Sequence, residues 1–202
     1  MVEDYGLILP KKLLDLPKYA CLNIHHSLLP KYRGPSPAPS VILSGDKVTG
    51  VTVIKMNDKV DQGDILSQTK YVLTSTETTE SLLTKLNALG GEIIIPVIQN
   101  YIKGEVTAKK QDEKKASYTK RINKSDGYFD IDNPPDKTKL DRMIRAYYPW
   151  PNVWTETQIN DKKVKIKFLP DKKIQVEGGT AMSIKDFLNG YPEMKSITDL
   201  ID

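Results

Sequence analysis

Cys21-Leu22-Asn23-Ile24-His25 is a short, mostly apolar run that leads into a stretch dense in proline, Pro30 to Pro39, with four prolines and Gly34. The run reads as a buried strand ending in a loop. The proline stretch reads as chain held by fixed φ angles instead of a hydrogen-bond ladder. Ser40 to Ser44 reads as the end of a short helix closed by Gly45. Gly50-Val51-Thr52-Val53-Ile54-Lys55-Met56 is a β-branched run between glycine and Asn57-Asp58, hence a second strand. Asn57 to Gly63 is a polar loop, and Ile65 to Leu73 is the next strand. From Thr76 to Lys103, Leu82, Leu86, Leu89, Ile93 and Val97 recur every three or four residues, the period of a helix with one apolar face. Thr76, Thr78 and Thr79 offer N-caps, Gly104 offers a C-cap, and Pro96 predicts a kink. Strand, loop, strand, strand and long helix in this order indicate an α/β layer.

Lys109 to Tyr118 is charged and aperiodic and reads as a linker. Beyond it, Lys137 to Tyr147 is helix-like, with Leu140, Ile144 and Tyr147 on one side, and stops at Pro149-Trp150-Pro151. Val153 to Thr157 and Val164 to Phe168 read as strands joined by a hairpin at Asn160-Asp161. Ile174 to Glu177 is a further strand, ended by Gly178-Gly179, and Ser183 to Leu188 is a short helix. Several short strands after one helix suggest a small barrel-like module. The division is therefore 1–108, a linker at 109–120, and 121–202. Trp150 is expected to pack at the interface between the two domains.

The 202 residues are 39% hydrophobic and 28% charged, ordinary for a globular protein, and long enough for one large domain or two small ones. The longest apolar run, Ile93-Ile94-Ile95-Pro96-Val97-Ile98, is far short of the ~20 residues of a membrane span, so no membrane partner is expected. One cysteine, Cys21, excludes an internal disulfide and a cysteine metal cluster, and fits a reducing, cytoplasmic setting. Residues 1–108 hold 11 Lys+Arg and 11 Asp+Glu, whereas 109–202 hold 19 and 15, so the net charge of +4 lies wholly in the second half. That bias suits a phosphate-rich partner, although a lysine-rich solvated surface reads the same way.

Asn23 and His25 stand two apart, so on a strand a carboxamide and an imidazole project from one face. At a strand end of an α/β sheet, that is where ligands bind. Taken alone, the pair reads as a capping asparagine and a satisfied core histidine. It is not alone, because His25-His26-Ser27-Leu28-Leu29-Pro30-Lys31-Tyr32-Arg33-Gly34 follows directly, and Asp61 comes 36 positions after His25 in Val60-Asp61-Gln62-Gly63-Asp64.

The order Asn-x-His-x-Ser-Leu-Leu-Pro, then an Asp-x-Gly loop after the next strand, resembles the folate-dependent formyltransferases. Tyr5-Gly6-Leu7-Ile8-Leu9-Pro10, Lys31-Tyr32-Arg33-Gly34, Gln111-Asp112-Glu113 with Tyr118, and Ile144-Arg145-Ala146-Tyr147-Tyr148-Pro149-Trp150-Pro151 narrow the resemblance to methionyl-tRNA formyltransferases. It implies a partial doubly wound, Rossmann-like catalytic domain followed by a small OB-like β-barrel domain that meets tRNA. It implies transfer of formyl from 10-formyltetrahydrofolate to the α-amine of initiator methionyl-tRNA, with no metal.

By position, the resemblance assigns Asn23 to the formyl oxygen, His25 to proton acceptance and electrostatic stabilisation, and Asp61 to orienting the ring. The chemistry requires such a set. A charged tetrahedral oxygen needs a preorganised donor. The amine's proton needs a base that titrates near neutrality. A carboxylate beside the imidazole favours its charged form. Asn57, Asp58, Lys59 and Val60 are implied at the pterin. Ser27, Leu28, Leu29, Pro30 and Arg33 are implied near substrate, with Arg33 equally able to tie its loop to a neighbouring carboxylate. Asp64 is expected to be structural. The resemblance also implies a half sheet ahead of Tyr5, which leaves three readings: a truncated gene, a late start, or one half of a split enzyme completed by a separate N-terminal polypeptide. The competing readings are a formyltransferase acting on a nucleotide-linked amino sugar, and a non-catalytic fragment that binds tRNA or a partner chain.

Overall fold

A computed structural model describes residues 9–159 and 162–201. The Asn160-Asp161 hairpin and most of the Tyr5–Pro10 segment lie outside the described residues. The chain divides into two compact units, one of residues up to Ser75 with Ser81–Arg121, the other of Thr76–Glu80 with the residues from Ile122 onward.

The first unit begins with a single helical turn, α1 (Lys11–Leu14), followed by β1 (Leu22–His25), α2 (Pro37–Ser44), β2 (Val48–Lys55), β3 (Asp64–Val72) and α3 (Thr79–Ile102), whose first two residues cluster with the second unit. The strands lie in the order β1-β2-β3 and both pairs are antiparallel. The α/β class holds, but the parallel pairing of a doubly wound sheet is not among the described strands. In β2 every residue from Thr49 to Ile54 is buried, so both faces of the central strand are covered. On α3 the buried row is Leu82, Leu86, Gly90, Ile94 and Val97, close to the expected stripe. A Cβ on Gly90 would stand 3.0 Å from Cγ2 of Ile24, so glycine lets the helix approach β1 closely. By length and composition alone α3 could cross a bilayer. Its row of buried residues and its contact with Ile24 make it a core helix of this unit.

Two local expectations change. Helix α2 starts at Pro37, inside the stretch read as turn, because prolines in the first helical turn lack only N–H groups that have no intrahelical partner. It ends as expected at Gly45, in the left-handed region at φ 72°. The stretch read as a linker is bound to the first unit: Lys109 and Ile65 exchange two backbone hydrogen bonds, at 2.8 and 2.9 Å.

The second unit holds α4 (Lys137–Ala146), β4 (Val153–Ile159), β5 (Lys162–Leu169), β6 (Lys173–Val176), β7 (Met182–Ser183), α5 (Ile184–Gly190) and the short α6 (Lys195–Thr198). The four strands form an antiparallel sheet in sequence order, the small β module expected here. Val153, Thr155, Ile159, Ile166, Phe168, Ile174 and Val176 alternate inward along the strands and are buried. Leu140, Met143, Ile144 and Ala146 of α4, with Phe187 of α5, are also buried in this unit. Asp136 caps α4 by accepting from the Lys139 N–H at 2.9 Å. Trp150 is 59% exposed.

Candidate active site

His25 ends β1, where its neighbour across the sheet is Thr52. Its ring is buried, with Nε2 2.9 Å from the carbonyl oxygen of Tyr32 and Nδ1 3.6 Å from Oδ2 of Asp61. Both ring nitrogens therefore face oxygen acceptors. Either neutral tautomer can donate to only one of them, whereas the imidazolium can donate to both.

Asp61 reaches this ring from the loop between β2 and β3. Its backbone is left-handed at φ 52°, and its Oδ2 accepts from the N–H of Gly34 at 2.7 Å. Two residues on, a Cβ on Gly63 would run into the carbonyl of Lys55, so the Asp-x-Gly pattern has a steric reason. Asn23 is half-buried on β1, opposite Ile54, on the same side of the strand as His25. Its carboxamide makes no hydrogen bond with the described residues. The structure thus brings His25 and Asp61 together and leaves the Asn23 amide available nearby along the strand.

The loop after His25 is stitched down rather than open. Ser27 Oγ donates to the Lys31 carbonyl at 2.6 Å. Thr52 Oγ1 donates to the Ser27 carbonyl at 2.6 Å and accepts from the Leu29 N–H at 3.1 Å. Gln68 Nε2 donates to the Leu29 carbonyl at 2.7 Å. Ser27 and Leu29 are buried, and Leu28 and Pro30 half-buried. Ser27 and Leu29, expected at substrate, are instead turned into the fold, because their polar and apolar atoms already have partners there.

Arg33 settles on the second of its two expected roles. Its side chain is fully buried. Nε and Nη2 donate to Oε1 of Gln111 at 3.1 and 2.9 Å, Nη1 and Nη2 form a fork with Glu113 at 2.9 and 2.7 Å, and Nη1 also donates to the Tyr118 hydroxyl at 2.9 Å. The hydrogen bond with Glu113 raises the Arg33 pKa above its ordinary value, and the same bond holds the Glu113 carboxyl below the usual carboxylate range. With its donors on protein partners, this guanidinium clamps its loop to the 111–118 stretch.

The 57–60 loop is exposed throughout. Asn57 Oδ1 accepts from the Lys59 N–H at 2.9 Å, and its Nδ2 donates to the Gln62 carbonyl at 3.1 Å, so Asn57 shapes its own turn. Asp58, Lys59 and Val60 are solvent-facing. Asp64 opens β3 opposite Lys55, as a structural residue would. Among the described residues, no group of three or more His, Cys, Asp or Glu could hold a metal ion.

Sequence reasoning missed Gln111, Ser117 and Thr119 as parts of the site. The Ser117 hydroxyl accepts from the Tyr32 N–H at 2.9 Å, the Ser117 carbonyl accepts from the Arg33 N–H at 2.8 Å, and the Thr119 N–H donates to the Arg33 carbonyl at 2.7 Å. Their only signal in the sequence was the likeness of Gln111-Asp112-Glu113 and Tyr118 to a family linker.

Residues 1–98 match the formyl transferase family, and 121–172 match the formyl transferase C-terminal domain. A methionyl-tRNA formyltransferase from Pseudoalteromonas translucida is 35% identical across 94% of this chain and 68% of its own length. Another, from Methylacidiphilum infernorum, is 43% identical across 83% of this chain and 52% of its own length. The chain thus spans between about half and two thirds of these relatives. An N-formyltransferase from Helicobacter canadensis, solved with folinic acid and dTDP-3-aminofucose, is 22% identical with a TM-score of 0.57, covering 80% of this chain and 65% of that one. That likeness shows a shared fold.

Proposed function

The chain belongs to the methionyl-tRNA formyltransferase family of enzymes, and on that premise we propose that it transfers formyl from 10-formyltetrahydrofolate to the α-amine of initiator methionyl-tRNA in translation initiation. The observation that carries the reading is the 3.6 Å approach of Asp61 Oδ2 to Nδ1 of His25 beside the free Asn23 amide. In this reading the amine attacks the formyl carbon and negative charge develops on the formyl oxygen, where the Asn23 N–H donates. The proton of the attacking nitrogen reaches His25 by relay through the Asp61 side, and the imidazolium that results is matched by Asp61 and the Tyr32 carbonyl. Collapse breaks the bond from the formyl carbon to N10 of the folate, and that nitrogen leaves with the proton that the imidazolium of His25 gives back along the same relay, which restores the neutral ring.

The exposed 57–60 turn beside Asp61 is the proposed pterin-facing loop. The folate donor is supported by the family and by folinic acid in the Helicobacter canadensis relative. That relative also carries a nucleotide-linked amino sugar, which keeps a sugar amine as the second reading. The basic second half of the chain favours tRNA. The relatives give no support to a separately encoded N-terminal polypeptide, and the proposed partners are tRNA and folate.

The deciding experiment supplies one folate donor and both amines, methionyl-tRNA and a dTDP-linked amino sugar. Formylation of the tRNA, abolished in His25→Ala, is the expected result. Formylation of the sugar alone moves the assignment to the second reading. Transfer to neither, with tRNA binding retained, leaves a non-catalytic binding fragment.

A further inference from the structure

Gln111 lies outside both matched regions of the chain, yet its side chain touches the loop that carries Asp61. Its Nε2 donates to the carbonyl of Asp61 itself at 2.7 Å and to the carbonyl of Gly63 at 2.8 Å. Its Oε1 accepts twice from the buried Arg33 guanidinium. The two ends of the amide are thus assigned by chemistry. A guanidinium can only donate, so the oxygen must face Arg33, and the NH2 must then face the two carbonyls. Arg33 is held in turn by Glu113 and Tyr118, and Tyr118 accepts from Gln62 Nε2 at 2.9 Å, between Asp61 and Gly63.

Asp61 needs such support. A left-handed backbone on a non-glycine residue is costly and persists only where the surroundings over-determine it. The β2–β3 loop supplies one restraint through Gly63. The second comes from Gln111, fifty residues away in the chain. Resting on the reading of Asp61 as the group that orients His25, we infer that Gln111 is a positioning residue. Its amide, aimed by Arg33, fixes the backbone turn at Asp61 and so holds the carboxylate against the imidazole. The Gln111–Tyr118 stretch is then a strap that completes the site, and not a spacer between domains.

A double-mutant cycle tests this. Formyl transfer and the NMR titration of the His25 ring are followed in wild type, Gln111→Met, Asp61→Asn and the double variant of the 202-residue chain. The two histidines are told apart by the signal missing in His25→Ala. Asp61 places a carboxylate oxygen 3.6 Å from the ring. Gln111→Met is expected to lower kcat by ~10²-fold with KM for the folate donor nearly unchanged. It is expected to move the His25 midpoint in the direction that Asp61→Asn moves it, and to change nothing further once Asp61 is Asn. Effects of equal size in both backgrounds, or an unmoved midpoint, overturn the inference.

Gln111→Glu guards against an effect of lost volume. It keeps the acceptor for Arg33 and sets a carboxylate against two carbonyls, so the same pattern is expected. If circular dichroism shows both variants unfolded, Gln111 is purely structural and the inference fails. A wild-type chain that transfers no formyl defeats the proposed function, and the NMR cycle still decides Gln111.

Discussion

The backbone N–H of Gly34 donates to Asp61 Oδ2 at 2.7 Å, so the loop after β1 grips the carboxylate that faces the histidine at its own start. Gly34 holds φ 105°, and a Cβ there would stand 2.9 Å from Thr119 Oγ1 and 3.0 Å from the Thr119 carbonyl. Gly34→Ala therefore meets both backbone strain and a clash. We expect a loss of about 1–3 kcal/mol in urea unfolding, with formyl transfer falling further than stability does, because the amide leaves Asp61. Wild-type stability in this variant would contradict the role given to the turn.

Glu113 makes the strap sensitive to acid. Its folded pKa is lowered, chiefly by the hydrogen bond to Arg33. A lowered carboxyl contributes stability that is present above the unfolded value, ~4.3, and is lost as pH falls through the folded value. Wild type should exceed Glu113→Gln in urea midpoint at pH 7, and the gap should close on acidification below the ordinary glutamate range. A gap that is constant with pH would separate Glu113 from this linkage.

On β5, Lys163, Lys165 and Lys167 alternate with the buried Ile166 and Phe168, so they share the outer face of the sheet. Lys165 Nζ lies 4.5 Å from the Trp154 ring centroid, and Trp154 packs against Tyr128 at 4.9 Å. If this unit meets the tRNA, Lys165→Glu with Lys167→Glu should weaken tRNA binding. The slope of log affinity against log salt should fall by ~1 for each phosphate contact removed. Filter binding across a salt series measures both, and an unchanged slope moves the contact to another face.

Much of the first unit was readable from residue pattern. The β-branched run before Asn57, the stripe from Leu82 to Val97 and the stop at Gly45 each follow from local periodicity and backbone preference; the stop is where it was expected, the strand is Val48–Lys55, and the buried row has Gly90 and Ile94 in place of Leu89 and Ile93. Pro37 was misread because a proline has the same sequence signature in a turn and in a first helical turn. The linker was misread because charge without periodicity looks solvated, whereas here the charges and amides meet a buried arginine.

What the amino-acid order alone determined is the likeness to a family, carried by motifs along the chain, and, from spacing within a few residues, the strand and helix succession and the placing of Asn23 and His25 on one strand face. What only the tertiary structure decided is which polar groups answer one another. Arg33 meets Gln111 and Glu113 across 78 and 80 residues, and Gln111 meets Asp61 across 50. Such pairs have no period. They exist because a buried donor must find an acceptor wherever folding brings one, and the return of the strap along β3, where Lys109 pairs with Ile65, brings Gln111 to the Asp61 turn.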